Sequence, residues 1–375
     1  MNNINTPRTT AKQSLQHRIT LWVKTHKKAT IAIAATLATL LIAGGVYLAL
    51  FAKQPAAPAT APVAQKPKPK PKPAPPPPKF YAPLTGLQVA DAATAKKPIT
   101  AIMIENSPSA RPQSGMQAAE ITYEAIAEGG ITRFLNLYQQ NKPGLIGPVR
   151  SLRPYYVDWL APWQASVAHV GGSKRSLDEI RNGKYRDIDQ FFNGGSYWRS
   201  RDRYAPHNVY TNFERLDALN ASKGYTSSEP PAIVRDDIKK AETPAATNIT
   251  VTMSSRWYNS VWLYDAASNS YHRQQAGAPH VDREAGQITA DVVVVLRMNM
   301  NLVWEDGWRE NYNSSGEGSA VVFQGGSVTE VVWRKPTTAE QLTFVTTDGK
   351  PFPLARGKLW VSAIPANQRG TVTWQ

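Results

Sequence analysis

The sequence predicts an α+β fold: an N-terminal α/β-type mixed domain followed by a mostly β domain of barrel or sandwich form, with one transmembrane helix ahead of both. Three observations predict this. A run without charge extends from Ala29 to Ala52. Between Phe80 and Thr226, short apolar runs alternate with patterns of helical period. After Asn248, a succession of short strand-like segments is punctuated by Gly, Asn and Asp.

The expected organisation is a basic, disordered tail (1–28), the transmembrane helix (29–52), a Lys/Pro-rich extended linker (53–79), the mixed domain (80–226), a short linker (227–247) and the β-rich domain (248–375). At ~1.5 Å per residue, the apolar run makes a helix of roughly 35 Å, enough for a hydrocarbon core of about 30 Å. It is longer than the apolar region of a cleaved signal peptide, and it ends in Leu50-Phe51-Ala52, a poor cleavage site. Arg18, Lys24, Lys27 and Lys28 precede it closely, whereas only Lys53 follows it at once. The expected orientation is therefore N-terminus in the cytoplasm, folded part outside. In the linker, alternating Lys and Pro from Lys66 to Pro73 fix φ and remove donors, which favours extended polyproline II.

The net charge of +15 resembles a nucleic-acid signature until it is located. No Asp or Glu precedes Asp91, while 12 of the 43 Lys and Arg do, leaving 31 basic against 28 acidic residues beyond that point. The folded part is nearly neutral, so no nucleic-acid partner is expected. With 0 Cys, disulfides, thiolate catalysis, Cys-based zinc sites and a lipidated Cys are all excluded.

Within the mixed domain, Ile99–Ile104, Ile121–Ile126, Ile131–Tyr138 and Ala165–Val170 read as strands. Ser173 is placed to cap a helix carrying Leu177 and Ile180, and Thr211 or Asn212 to cap one carrying Leu216 and Leu219. Further strands are expected at Asn248–Met253, Val261–Tyr264, Tyr271–Gln274, Asp291–Met298, Ala320–Phe323, Val328–Trp333, Leu342–Thr346, Lys358–Ile364 and Thr371–Trp374.

Polar clusters sit at the expected strand ends and turns. They are Met103-Ile-Glu-Asn106 with Ala110-Arg-Pro-Gln-Ser-Gly115, Tyr123-Glu124, and Ala127-Glu-Gly-Gly-Ile-Thr-Arg133. Gly147-Pro-Val-Arg-Ser-Leu-Arg-Pro154, His169-Val-Gly-Gly-Ser173 and Arg203-Tyr-Ala-Pro-His-Asn-Val-Tyr210 follow. In this order and spacing the blocks resemble the YerB-like lipoprotein family, whose domain has no assigned function. The resemblance extends from about Tyr81 to Gln375 and takes in Tyr271-His-Arg273, Gly277–Asp282 and Gly357-Lys-Leu-Trp360. It implies an extracytoplasmic location and supplies no reaction. Members commonly carry a lipidated Cys, from which this chain departs.

The residues themselves offer two chemistries. Glu105, Glu124, Glu128, His169 and His207 are candidate acid–base groups for cleaving or transferring a wall glycan or peptide. Arg111, Arg133, Arg150, Arg153 and Arg203, with Ser173 and Asn208, are candidates for binding an anionic cell-wall polymer or an envelope protein, because guanidinium groups pair with carboxylate or phosphate. The bland alternatives are internal Arg–Glu networks, Ser173 as a helix cap and Asn208 as a loop brace. No cofactor is expected, since Gly129-Gly130 and Gly171-Gly172 lack phosphate-loop spacing. No metal is expected either, as His169, His207 and His280 are not at ligand spacing. Whether the chain is an enzyme stays open at this point, with binding placed ahead of catalysis.

Overall fold

The computed structural model describes residues 11–51, 78–303 and 309–375, which fall into two compact units, Met1–Pro75 and Pro76–Gln375. The Lys/Pro linker up to residue 77, together with Ala52, lies outside the described residues.

The first unit is two helices, α1 (Ala11–Thr25) and α2 (Lys27–Phe51). The tail expected to be disordered is thus helical over Ala11–Thr25. Its Trp22 ring stacks on His26 with centroids 5.2 Å apart, a contact that needs helical spacing. Residues Lys27–Leu50 of α2 form a helix long and apolar enough to cross a membrane, and none of it is buried.

The second unit is α+β. Its first half contains β1 (Thr100–Glu105), β2 (Ile121–Glu128), β3 (Ile131–Tyr138), α3 (Pro154–Leu160), β4 (Ser166–Ala168), α4 (Lys174–Ile180), β5 (Arg186–Asp187) and α5 (Phe213–Ser222). The second half is mostly β: β6 (Asn248–Thr252), β7 (Ser260–Asp265), β8 (Ser270–Gln275), β9 (Val292–Met298), β10 (Gly316–Gln324), β11 (Ser327–Lys335), β12 (Thr343–Val345), β13 (Leu359–Pro365) and β14 (Thr371–Trp374).

The large sheet runs β12-β11-β10-β9-β13-β2-β3-β1-β4-β5, so strands of both halves share it. The junction is a parallel pairing of β13 with β2, Leu359 opposite Ile121 and Ser362 opposite Glu124. Strands β1, β2, β3, β9 and β13 are buried along nearly their whole length. Burial on both faces is why β1, β9 and β13 read as nearly continuous apolar runs, whereas β2 and β3 also bury Glu124, Arg133 and Asn136. The second sheet, ordered β8-β7-β6-β14, packs by one face only, and β6 alternates buried and half-buried residues accordingly.

Aromatic contacts fix the layers. On one face of the large sheet, Trp159 of α3 stacks on Tyr123 at 5.4 Å, and the Tyr155 and Tyr156 hydroxyls donate to Ile126 O and Arg133 O. On the other face, Trp262 of β7 meets Trp360 of β13 edge-on at 5.2 Å, and Phe323 of β10 meets Trp374 of β14 at 5.6 Å. The β-rich half is therefore two layered sheets, one of which continues into the first half. The segment between the halves is tied in as well, Arg235–Asp236 pairing in parallel with Leu354–Ala355.

Candidate functional site

Strand β1 ends at Glu105 and delivers its carboxylate to the meeting point of three loops. The Glu105 amide donates to Pro148 O, and the Arg150 amide donates to Met103 O, which pins the loop carrying Arg150 beside the strand end. Arg150 Nε lies 3.2 Å from Glu105 Oε2, in ion-pair contact without an aligned hydrogen bond. Glu105 Oε1 accepts from Ser107 Oγ at 2.8 Å and lies 2.8 Å from His207 Nδ1. The carboxylate thereby holds the imidazole by Nδ1, a contact that favours the Nδ1–H tautomer. Nε2 has no partner among the described residues, and the half-buried His207 ring lines an open cleft of about 480 Å³.

Ser109, Pro112, Asp202, Arg203, Tyr204 and Arg283 complete the cleft. Arg203 spans it by donating to Ser109 O, Arg111 O and Pro112 O, while its Nε is buried without an acceptor. Among the described residues no carboxylate pairs with Arg203, whereas Arg283 is paired with Asp202 at 3.0 Å. Arg111 braces the neighbouring loop by donating to Asn106 Oδ1, Asn106 O and Trp257 O. Burial, then the charge of Arg273, pushes its guanidinium down to about 10. The local balance is cationic, which suits an anionic ligand. Asn208 braces the loop from behind, accepting from Arg199 and donating to Ser200 O and Arg203 O.

The other candidates do not join this cleft. Glu124 is fully buried and meets Arg273 Nη2 at 2.9 and 3.0 Å, with Trp360 Nε1 and Ser362 Oγ on Oε2 and Thr132 Oγ1 on Oε1. That leaves no face for a substrate. Glu128 receives Arg133 Nη2 and Arg153 Nη2, both from buried arginines, so these three form an internal ion network. Ser173 caps α4 by accepting from the Ser176 amide. His169 is buried, with Nε2 3.0 Å from Asp187 and Nδ1 2.8 Å from Gly171 O.

Protein-family profiles described as the N-terminal and C-terminal domains of a protein of unknown function, DUF3048, match residues 84–226 and 249–361. The Bacillus subtilis (strain 168) protein described as "Putative lipoprotein YerB" is 31% identical over 296 residues, covering 76% of this chain and 87% of its own. The chain belongs to the YerB-like family. The crystal structure of YerB from Bacillus subtilis superimposes with a TM-score of 0.70 at 28% identity, over 79% of this chain and 100% of that one.

In this YerB-like chain the cleft brings the expected Glu105, Arg203 and His207 together with Ser107, Asp202 and Arg283, which no motif marks, and with Tyr204, which lies inside the Arg203–Tyr210 block but was not among the candidates. Sequence reasoning also missed Arg273, whose partner lies in the other half. Beside His169 the fold also brings two carboxylates, from β5 and the residues just after it: ligand atoms of His169, Asp187 and Asp189 lie within 4.8 Å of one another. That trio is already compensated. Arg181 donates to Asp189, which also accepts from the Gly171 and Phe191 amides. A cation there would have to compete with the Arg181 guanidinium.

Proposed function

We propose that this YerB-like chain is a membrane-tethered, extracytoplasmic protein whose Glu105–His207 cleft binds an anionic group of a cell-envelope polymer. The observation that carries the reading is the cleft itself, an imidazole held by a carboxylate beside Arg203, a cation that no carboxylate among the described residues pairs with. The tether is α2, and the basic residues ahead of it favour a cytoplasmic N-terminus. A relative described as a lipoprotein supports the location, with a helix here replacing the lipid.

A second reading, a wall-glycan or peptide hydrolase or transferase, is favoured by one feature. An imidazole oriented through Nδ1 leaves Nε2 for proton transfer. Ser107 is not a nucleophile in that scheme, because its hydroxyl lies 3.3 Å from Nδ1, the nitrogen that Glu105 already holds.

The test is sedimentation of the detergent-solubilised full chain with purified insoluble envelope polymer. Co-pelleting that falls at least tenfold in Arg203→Gln and His207→Ala supports the reading. Soluble fragments released by wild type but not by His207→Ala would favour the enzyme. If the protein neither pellets nor releases fragments, the polymer assignment fails, and capture of an envelope protein becomes the better account.

A further inference from the structure

A second cavity, about 450 Å³, lies between the first folded residues, from Tyr81 to Gly86, and the connecting segment from Ser228 to Arg235. It shares no residue with the His207 cleft. Arg235 is the residue that marks it. Its Nη1 donates to Ala355 O at 2.6 Å and its Nη2 to Leu84 O at 2.7 Å, while its Nε is buried with no acceptor. Of the carboxylates in the neighbourhood, Glu229 is paired with Lys96 at 2.8 Å and Asp237 with Arg356 at 2.8 Å, while Asp291, whose charge reaches Arg235, accepts from the Lys358 amide at 2.6 Å. Among the described residues, none forms an ion pair with Arg235. Burial pushes this guanidinium down to about 10, outweighing the opposing influence of Tyr123 and Asp291.

Much of the wall is apolar, with Ala82, Pro83 and Ile233 among its residues beside the paired Lys96 and Glu229, and Tyr81 is backed by the Arg356 guanidinium 4.6 Å from its ring centre. A bare inorganic anion would neutralise Arg235 and leave those walls wet. A neutral apolar molecule would cover the walls and leave the cation uncompensated. We infer that this cavity is a binding site for a small amphipathic carboxylate, its single anionic group on Arg235 and its apolar body against Tyr81 and Ile233. Each Nη of Arg235 uses one N–H on a main-chain carbonyl and keeps a second that a carboxylate oxygen can accept, and the volume lies in the range of small-molecule sites. This site is independent of the His207 cleft and stands or falls separately.

The test is calorimetric titration of the full chain in detergent with 3-phenylpropionate, its neutral amide and inorganic phosphate, each corrected for detergent alone. Saturable binding of the carboxylate is expected, at least tenfold tighter than either the amide or phosphate. Arg235→Met should weaken it at least tenfold. Ile233→Asp, at a half-buried wall position, should abolish it without removing the Arg235 bonds, which keeps the test decisive should Arg235→Met fail to fold. Equal affinity for the amide, equal affinity for phosphate, or unchanged binding in Ile233→Asp would each overturn the assignment.

Discussion

Glu124 and Arg273 stand 149 positions apart in the chain and meet without any exposure to water, Arg273 Nη2 reaching both carboxylate oxygens at 2.9 and 3.0 Å. Glu124 belongs to the large sheet and Arg273 to the second sheet, so this ion pair joins the two layers. Three rings, Phe134, Trp262 and Trp360, surround the guanidinium with centroids 4.6 to 5.7 Å away. A buried pair of this kind adds little net stability against an apolar replacement, but removing one partner strands the other charge. Glu124→Gln should therefore cost about 3–5 kcal/mol, and Glu124→Gln combined with Arg273→Met should cost less than the sum of the single changes. Denaturant unfolding followed by Trp fluorescence measures both.

The same network makes the fold acid-sensitive. Arg273 Nη1 donates to His280 Nδ1, and His280 Nε2 lies 3.0 Å from Gln113 Oε1, so the ring is held neutral with its proton on Nε2. Burial, then the charges of Arg273 and Arg111, holds His280 well below its usual range. Below about pH 6.5 the unfolded chain takes up a proton that the folded chain refuses, so stability falls as the solution is acidified. A slope of up to ~1.4 kcal/mol per pH unit is expected from this group between pH 6.5 and 5. His280→Gln should flatten that part of the stability–pH profile, and a slope unchanged by the substitution would exclude His280 as its source.

Two glycines separate a backbone requirement from a packing one. Gly115 has φ +82, and a Cβ there would meet Leu145 O at 2.8 Å and Ile146 Cγ1 at 2.9 Å. Gly129 has φ +55 and open space around it. Gly129→Ala should cost only the left-handed penalty, about 1–2 kcal/mol. Gly115→Ala adds a collision with a main-chain carbonyl, and overpacking of that kind typically costs a further ~1–3 kcal/mol. Thermal unfolding should rank Gly115→Ala clearly below Gly129→Ala.

What the sequence disclosed follows the range of each interaction. Strands such as Ile131–Tyr138 and Thr371–Trp374 were legible because apolar runs and turn residues are local signals, and Ser173 and Asn212 cap α4 and α5 as their positions imply. Helix α3 was not read, although Pro154 sits at its first turn, because every residue from Pro154 to Leu160 is buried and no polar face marks a helical period. The hairpin of Met300–Val303 with Arg309–Tyr312 was likewise missed. The β13–β2 pairing joins Leu359 to Ile121, and no local pattern encodes a contact between segments so distant. The site divides in the same way. Arg–Glu networks claimed Glu124, Glu128, Arg133 and Arg153, while the cleft drew Asp202 and Arg283, whose exposed side chains carry no sequence signature.

The Glu105–His207 contact makes a prediction independent of any ligand. With the carboxylate on Nδ1 at 2.8 Å, the neutral ring should carry its proton on Nδ1 and leave Nε2 as the acceptor facing the cleft. Nitrogen NMR of ring-labelled protein at a pH where His207 is neutral should show that tautomer in wild type. In Glu105→Gln the side-chain amide no longer offers two equivalent anionic acceptors, so the ring should shift toward a mixture of tautomers. Arg150→Gln should leave the preference intact, because Arg150 touches the other carboxylate oxygen and not the imidazole. A wild-type ring already mixed, or an Nδ1–H preference that survives Glu105→Gln, would mean that Glu105 does not orient His207 and would remove the acid–base reading of the cleft.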